Sequence, residues 1–218
     1  MKRTMLILCS ATVLLFACNN SGNDSKDKKD STATTTMEPK KDAPPMAMPD
    51  SATMMKNWQM CMTPGDMHKM MASWDGTWNS EVSMWEKPGA PPQKSTGTTV
   101  NKMVLGGRYQ ESVNKSTMMG MPFEGHGTLG YDNASKKMVS SWIDNMGTGM
   151  LNMSGAWDTA TKSVTLTGRE MDPMTMTEKD FKETFTVIDD NTQMMEMYGP
   201  GPDGKEMKMM EIKFTRKK

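Results

Sequence analysis

Sulfur and nitrogen ligands lie close together in residues 60–68, a segment whose side chains could bind a metal ion. Met60, Cys61 and Met62 are consecutive, and Met67 and His68 follow a short Thr-Pro-Gly turn. Thioether and thiolate sulfur atoms suit the soft Cu(I) ion. We therefore consider the hypothesis that this segment binds Cu(I).

Methionine abundance gives the same residues a simpler interpretation. The chain contains 30 methionines, whereas after residue 17 it has only four leucines and three isoleucines. Methionine is flexible and fills irregular spaces in a core. We therefore interpret most of these methionines as replacements for leucine and isoleucine, and keep copper binding as the alternative.

Three carboxylates lie on predicted strand faces that are otherwise mostly apolar. Asp144 shares a face with Trp142, and Glu170 and Glu183 alternate with aliphatic or aromatic residues on two further strands. A carboxylate on an apolar face is costly unless it is paired or wet. Each could point outward, pair with an internal arginine such as Arg108, or hold the polar end of a small ligand in a cavity.

Motifs for enzymatic catalysis are absent from the sequence. It has no Gly-x-Ser-x-Gly, no His-Glu-x-x-His and no phosphate-binding loop. Its two histidines are His68 and His126, so Cys61 has only His68 as a candidate base, and no histidine on a late strand could bind haem. We therefore expect a non-enzymatic protein without a cofactor.

The N-terminus has the pattern of a bacterial lipoprotein signal peptide. Residues 1–17 combine a short positive region with an apolar stretch that is too short to span a bilayer, and Cys18 follows a Leu-Phe-Ala lipobox. Acylation of Cys18 would anchor the protein to a membrane of the cell envelope, facing the periplasm or the cell surface. Cleavage would leave Cys61 as the one free cysteine, without a disulfide partner.

The net charge argues against nucleic acid as a partner. Cleavage after residue 17 removes two cations, so the formal net charge falls from zero to −2. Nucleic-acid binding needs a basic face, which this balance does not favour.

Composition divides the chain after the signal peptide into three parts. Residues 18–50 are polar and predict a disordered tether. Residues 51–73 predict two short helices, the first with an apolar stripe that includes Met54 and Trp58, the second capped by Thr63 and covering one end of the following domain. Residues 74–218 contain about ten short strand candidates separated by turn residues. They predict an all-β fold, either an up-and-down β-barrel or a β-sandwich.

The first and last predicted strands carry a further signal. Gly76 and Trp78 form a Gly-x-Trp pattern, and Arg216 lies near the C-terminus. This arrangement resembles lipocalin-type barrels. The resemblance implies that Trp78 plugs one end of the barrel and that Arg216 packs across it.

A set of ordered motifs extends the resemblance to nearly the whole domain. They include Thr63-Pro64-Gly65-Asp66, Leu105-Gly106-Gly107-Arg108-Tyr109, Gly130-Tyr131-Asp132-Asn133 and Trp142-Ile143-Asp144-Asn145. The chain resembles the bacterial domain-of-unknown-function family 1579 over about residues 52–217. The resemblance implies an antiparallel up-and-down β-barrel of about ten strands, of the broad lipocalin or calycin kind, and no particular activity.

These observations favour binding or carriage of a small apolar ligand inside the barrel of an envelope lipoprotein. The alternatives are a methionine-rich Cu(I)-binding protein and a purely structural envelope lipoprotein. A cavity in the barrel would favour the first, and a solid interior the last.

Cys18→Ser tests the anchor. The substitution removes the thiol that would be acylated, so we expect release into the soluble fraction or failure of signal-peptide processing. Membrane fractionation and electrophoretic mobility measure both effects. Unchanged membrane association and mobility would show that the protein is not a lipoprotein.

Overall fold

Two α-helices and eleven β-strands make up residues 47–218, the part of the chain that the computed structural model describes. The predicted signal peptide, Cys18 and the tether up to residue 46 lie outside the described residues. The helices are α1 (Ser51–Met62) and α2 (Asp66–Ala72). The strands are β1 (Gly76–Met84), β2 (Gln93–Val104), β3 (Tyr109–Met118), β4 (Met121–Asp132), β5 (Lys137–Asp144), β6 (Leu151–Gly155), β7 (Trp157–Asp158), β8 (Ser163–Asp172), β9 (Thr177–Asp189), β10 (Thr192–Pro200) and β11 (Glu206–Arg216).

The strands close into one antiparallel barrel. They pair in chain order, β1 pairs with β11, and β6 pairs with β8. β6 and β7 keep one register against β8 and are separated only at Ala156, so they act as a single interrupted strand. The ring therefore has ten strand positions. This confirms the prediction of an up-and-down barrel of about ten strands after short N-terminal helices.

Three of the hairpin turns share one hydrogen-bonding pattern. Asp132, Asp158 and Asp172 each accept a hydrogen bond from the backbone N–H two residues later, at 2.8 Å. The last residue of each turn then adopts a left-handed conformation, with φ of 59° at Lys136, 50° at Lys162 and 51° at Met176. An aspartate side chain that bonds its own turn fixes where the chain reverses. β8 consequently ends at Asp172, where the third of these turns begins.

One end of the barrel is closed by α2. Met71 is fully buried and Trp74 is 4% exposed, and both pack in one cluster with inward-facing strand residues. Gln110 of β3 fastens the helix, because its Nε2 donates to Met71 O at 2.7 Å and to Asp75 Oδ1 at 2.9 Å. The barrel therefore has a covered end beside α2 and an opposite end formed by the other set of turns.

Arg216 lies across Trp78 at the covered end. The two residues pair across β11 and β1, and the guanidinium carbon lies 4.2 Å from the centroid of the Trp78 ring. The guanidinium also donates to Asp75 O at 2.7 Å and to Ser73 O at 2.8 Å. Gly76 has a φ of 122°, and a Cβ there would lie 3.3 Å from the Arg216 Nη1 atom. The glycine therefore leaves room for the arginine that joins both chain ends of the barrel.

The details of both helices differ from the sequence-based expectations. The apolar stripe of α1 stays exposed, with Met54 at 40% and Trp58 at 59%, and α1 has no buried residue. Thr63 ends α1 instead of starting α2, since its hydroxyl donates to Gln59 O. Gly65 is the N-cap of α2. Neither helix is long and apolar enough to cross a membrane.

A double-mutant cycle tests the contact between Trp78 and Arg216. Trp78→Ala should cost about 3–5 kcal/mol of unfolding free energy, as other large-to-small core substitutions do. Combined with Arg216→Ala, the effects should be non-additive by about 0.5–3 kcal/mol, because contacting residues couple. Denaturant unfolding gives each value.

Lys213→Ala is the matched control, because Lys213 is an exposed cation on the same strand. Its effect should add to that of Trp78→Ala. Additive effects for Arg216→Ala as well would contradict the contact.

Candidate ligand-binding cavity

The barrel encloses a cavity of about 440 Å³. Inward side chains line it because successive strand residues alternate between the interior and the exterior. Trp74 and Gln110 lie at its covered end, and Met118, Phe123 and Met146 lie towards the opposite end, which we call the mouth. A space of this size falls in the range of small-molecule sites.

The lining is divided into a polar wall and an apolar wall. Small polar side chains dominate the strands β1 to β3: Ser80, Ser95, Thr99, Ser112, Asn114 and Ser116. Apolar side chains dominate β8 to β11: Leu166, Phe185, Met195, Met197, Met210 and Ile212. The cavity therefore suits a molecule that has both an apolar body and polar groups.

Trp142 and Asp144 lie together at the mouth. The indole Nε1 of Trp142 donates to Asp144 Oδ2 at 2.9 Å, and the backbone N–H of Met146 donates to Asp144 Oδ1 at 2.9 Å. Phe123 stacks on the indole with ring centroids 6.5 Å apart. These contacts fix the carboxylate and the aromatic face beside each other at the cavity lining.

Glu170 is a second carboxylate at the mouth. A Cβ added to Gly149 would lie 2.8 Å from Glu170 Oε1, so the carboxyl group rests against the loop between β5 and β6. Burial raises the pKa of Glu170, and the negative charge of Asp144 raises it further. The two carboxylates are therefore close enough to repel each other.

Glu183 lies deeper, on the apolar wall. It pairs across the sheet with Leu166 of β8 and Met197 of β10, and it lines the cavity. Within residues 47–218 its carboxyl group has no hydrogen-bond or ion-pair partner. Removal from bulk water raises the pKa of Glu183 to about 7. The group therefore changes its charge near neutral pH.

Gln193 is an unsatisfied polar group near the covered end. The residue is 3% exposed and lines the cavity, and its Nε2 has no hydrogen-bond partner among the described residues. A buried amide donor without a partner is unfavourable, and such groups are rare in folded proteins. A ligand that carries an acceptor atom would supply the missing partner.

Arg108 lies outside the cavity, contrary to the expectation that it would partner an inward carboxylate. Its guanidinium donates to Met62 O at 2.7 Å and to Leu105 O at 3.1 Å. Arg108 follows two turn glycines and is exposed, so strand alternation does not orient it. It connects the end of α1 to the turn between β2 and β3.

The candidate copper ligands are divided between two environments. Met60, Cys61 and Met62 are exposed at the end of α1, and Met67 is half-buried. His68 is 5% exposed, and its Nδ1 accepts a hydrogen bond from Gly65 N at 3.0 Å. Burial lowers the pKa of His68, and the charge of Arg108 acts in the same direction.

The Nδ1 lone pair of His68 serves the helix cap in this arrangement. No group of three or more His, Cys, Asp or Glu residues within 47–218 could hold a metal ion. The Cu(I) hypothesis stays a prediction that these contacts do not support.

Comparison with known proteins assigns the barrel to a family. A family model described as "Protein of unknown function (DUF1579)" matches residues 63–216. The chain belongs to the DUF1579 family. A search of curated proteins found no match.

Three solved structures are similar to this DUF1579 protein. Rv2717c from M. tuberculosis has a TM-score of 0.55 and 11% identity, covering 72% of this chain and 100% of that one. A designed fluorescence-activating β-barrel has a TM-score of 0.40 and 14% identity, with 71% and 100% coverage. A redesigned β-barrel has a TM-score of 0.36 and 11% identity, with 68% and 95% coverage. The likeness to Rv2717c supports the barrel architecture.

Two features of the DUF1579 cavity were missed in the sequence. Gly125 and Gly127 lie opposite Asp144 and Trp142, and a Cβ at Gly125 would come within 2.3 Å of the indole. Paired glycines on a strand are a signal for close approach by a large side chain. Gln193 carried no such signal, because an inward glutamine has the same strand pattern as an outward one.

Glu183→Gln tests the burial of the carboxyl group through the pH dependence of stability. Glu183 ionises near its usual value of 4.5 in the unfolded chain and near 7 in the folded protein. Between these values the folded state binds more protons, so unfolding free energy falls as pH rises. The loss through this group should reach about 3 kcal/mol above pH 7.

Urea unfolding of the DUF1579 protein at a series of pH values measures this effect. Glu183→Gln should remove that part of the pH dependence, and its advantage over the wild type should grow with pH. Glu81→Gln, on the exposed face of β1, should keep the wild-type slope. Parallel curves for wild type and Glu183→Gln would show that Glu183 is solvated.

Proposed function

We propose that this protein binds and carries a small, partly apolar molecule in the interior of its barrel. The cavity that combines an apolar wall with unpartnered polar groups carries this proposal. Protein interiors are close-packed, and voids larger than a water molecule are few. A space of about 440 Å³ in a barrel of ten strand positions therefore favours a ligand over a purely structural role.

The apolar wall would supply most of the binding free energy. Burial of apolar surface contributes roughly 25 cal/mol per Å². Met195, Met197 and Met210 are unbranched and adjust to ligands of different shape. We therefore expect the protein to accept ligands with apolar bodies of different shapes. This would give the methionines inside the barrel a function in binding.

The polar groups would orient the ligand. Glu183 in the middle of the cavity and Gln193 near its covered end both lack partners in residues 47–218. A ligand with polar atoms at the matching positions satisfies both groups at once. Leaving a buried donor or acceptor unpaired costs about 1–3 kcal/mol, so this requirement discriminates between ligands.

The proposed site of action is the bacterial cell envelope. The lipobox at Cys18 would tether the domain to a membrane through residues 18–50. A binding protein on such a tether could exchange a sparingly soluble molecule with the adjacent membrane. The absence of motifs for covalent or hydrolytic chemistry in the sequence supports carriage instead of turnover.

A cavity-filling substitution tests the proposal. Purified protein should bind prodan, a small neutral environment-sensitive dye, with a saturable increase in fluorescence. Ser140→Phe places an aromatic ring in the cavity and should weaken binding at least about tenfold, because the ring occupies the space of the dye.

Val139→Phe is the matched control, since Val139 neighbours Ser140 but lies on the other face of β5. It should bind prodan like the wild type. Absence of saturable binding to the folded wild type, or equal binding by both variants, would contradict the proposal.

A further inference from the structure

All ionisable side chains that enter the cavity are acidic. Asp144 and Glu170 lie together at the mouth, and Glu183 lies below them on the apolar wall. Lys115 is the only basic residue along the lining of the described chain. Its Nζ lies 3.1 Å from Glu124 Oε2, and its side chain is 63% exposed, so this charge belongs to the outer surface.

Basic residues near the cavity likewise make their contacts outside it. Arg169 pairs with Asp180 at 2.6 Å, and its side chain is 66% exposed. Arg216 lies beyond Trp78 at the covered end, where it donates to backbone carbonyl groups. None of these cations neutralises a cavity carboxylate in the structure of residues 47–218.

Three unneutralised carboxylates in a half-enclosed space are energetically unfavourable. Like charges repel more strongly away from bulk water, and each ionised group loses hydration. Asp144 is compensated by two hydrogen-bond donors, whereas Glu170 and Glu183 have no such donors among the described residues. A positively charged guest would relieve this strain, and a negatively charged guest would increase it.

A second observation shows that the interior is built for a guest. Gln193 is more than nine-tenths buried, lines the cavity and has an unpartnered Nε2. This donor lies towards the end opposite the carboxylates at the mouth. The cavity therefore requires a ligand with a cationic group in its middle or near the mouth and a hydrogen-bond acceptor near the covered end.

We propose that the ligand is an amphiphilic organic amine, with an ammonium group held by Glu183 and the mouth carboxylates and an apolar body on the methionine-rich wall. This inference rests on the proposed function and specifies its ligand class. The aromatic face of Trp142, which lines the mouth beside Asp144, adds a cation–π surface for the same ammonium group. Fatty-acid anions do not fit, because no arginine or lysine side chain of the described residues meets them inside.

The charge of Glu183 makes amine binding depend on pH. Leu166 from β8 and Met197 from β10 face it with apolar surface, and the titratable groups of the same cavity are Glu170 and Asp144. The pKa of Glu183 is raised to about 7 by burial. Amine affinity should therefore rise as pH increases through neutrality, whereas a neutral ligand should gain nothing.

Three dansyl probes with one body and different tails separate the ligand classes. Dansylcadaverine ends in an ammonium group, dansylhexylamide in a methyl group and dansylaminohexanoate in a carboxylate. At about pH 8, where Glu183 is ionised, the purified protein should bind the amine about ten- to hundredfold more tightly than the neutral probe. The anion should bind most weakly.

Glu183→Gln keeps the shape of the side chain and removes its charge. It should weaken the amine about tenfold and leave the neutral probe unchanged, since one charged hydrogen bond is lost. Glu81→Gln removes the same single negative charge from the exposed face of β1 and should affect neither probe. Glu170→Gln provides a second cavity variant with a similar expected loss.

Equal affinities for the amine and the neutral probe, or tighter binding of the anion, would overturn the amine proposal and leave the carrier function standing. Saturable binding of none of the three probes would overturn both. Loss of amine binding in Glu81→Gln as well would assign the preference to surface charge and also overturn the proposal.

Discussion

The contact of Arg216 with Trp78 and the surrounding carbonyl groups is the interaction on which the barrel depends. A single guanidinium joins the end of β11, the start of β1 and the carbonyl oxygens of Ser73 and Asp75, which follow α2. It also donates to Asp190 O in the turn between β9 and β10. Because the planar group has five donors in a fixed geometry, one residue can lock elements that are far apart in sequence.

This lock makes the two ends of the barrel unequal. The covered end is filled by α2, Trp74 and Trp78, so side chains pack there as in an ordinary core. Beyond this end the inward residues of β1 to β3 are mostly small and polar, and a cavity separates them from the opposite wall. The result is the cavity. Its carboxylates have no cationic partner inside, because β1 to β3 supply no inward cation within residues 47–218.

Strand alternation made much of this arrangement predictable. A period of two placed Asp144, Glu170 and Glu183 on the same faces as apolar residues, and the structure has all three lining the cavity. The turn residues predicted the strand number, because several turns have a local chemical cause such as the Asp132 side chain.

Features that depend on non-local contacts were not predictable. Arg108 points away from the barrel interior because it lies in a turn, where the alternation of strand side chains does not apply. Gly65 caps α2, and its N–H donates to the His68 ring. The Thr63-Pro64 sequence instead predicted that Thr63 would be the cap. The size of the cavity depends on side-chain packing across the barrel, and flexible methionines leave that packing undetermined by sequence.

Nuclear magnetic resonance of methionine methyl groups tests the central claim, an amine inside the barrel, most directly. With methyl-labelled protein and dansylcadaverine, the account predicts probe contacts to the interior methyl groups of Met195, Met197 and Met210. It predicts none to Met55 or Met174, which are 59% and 90% exposed. Contacts confined to exposed methyl groups, with the interior signals unmoved, would contradict it.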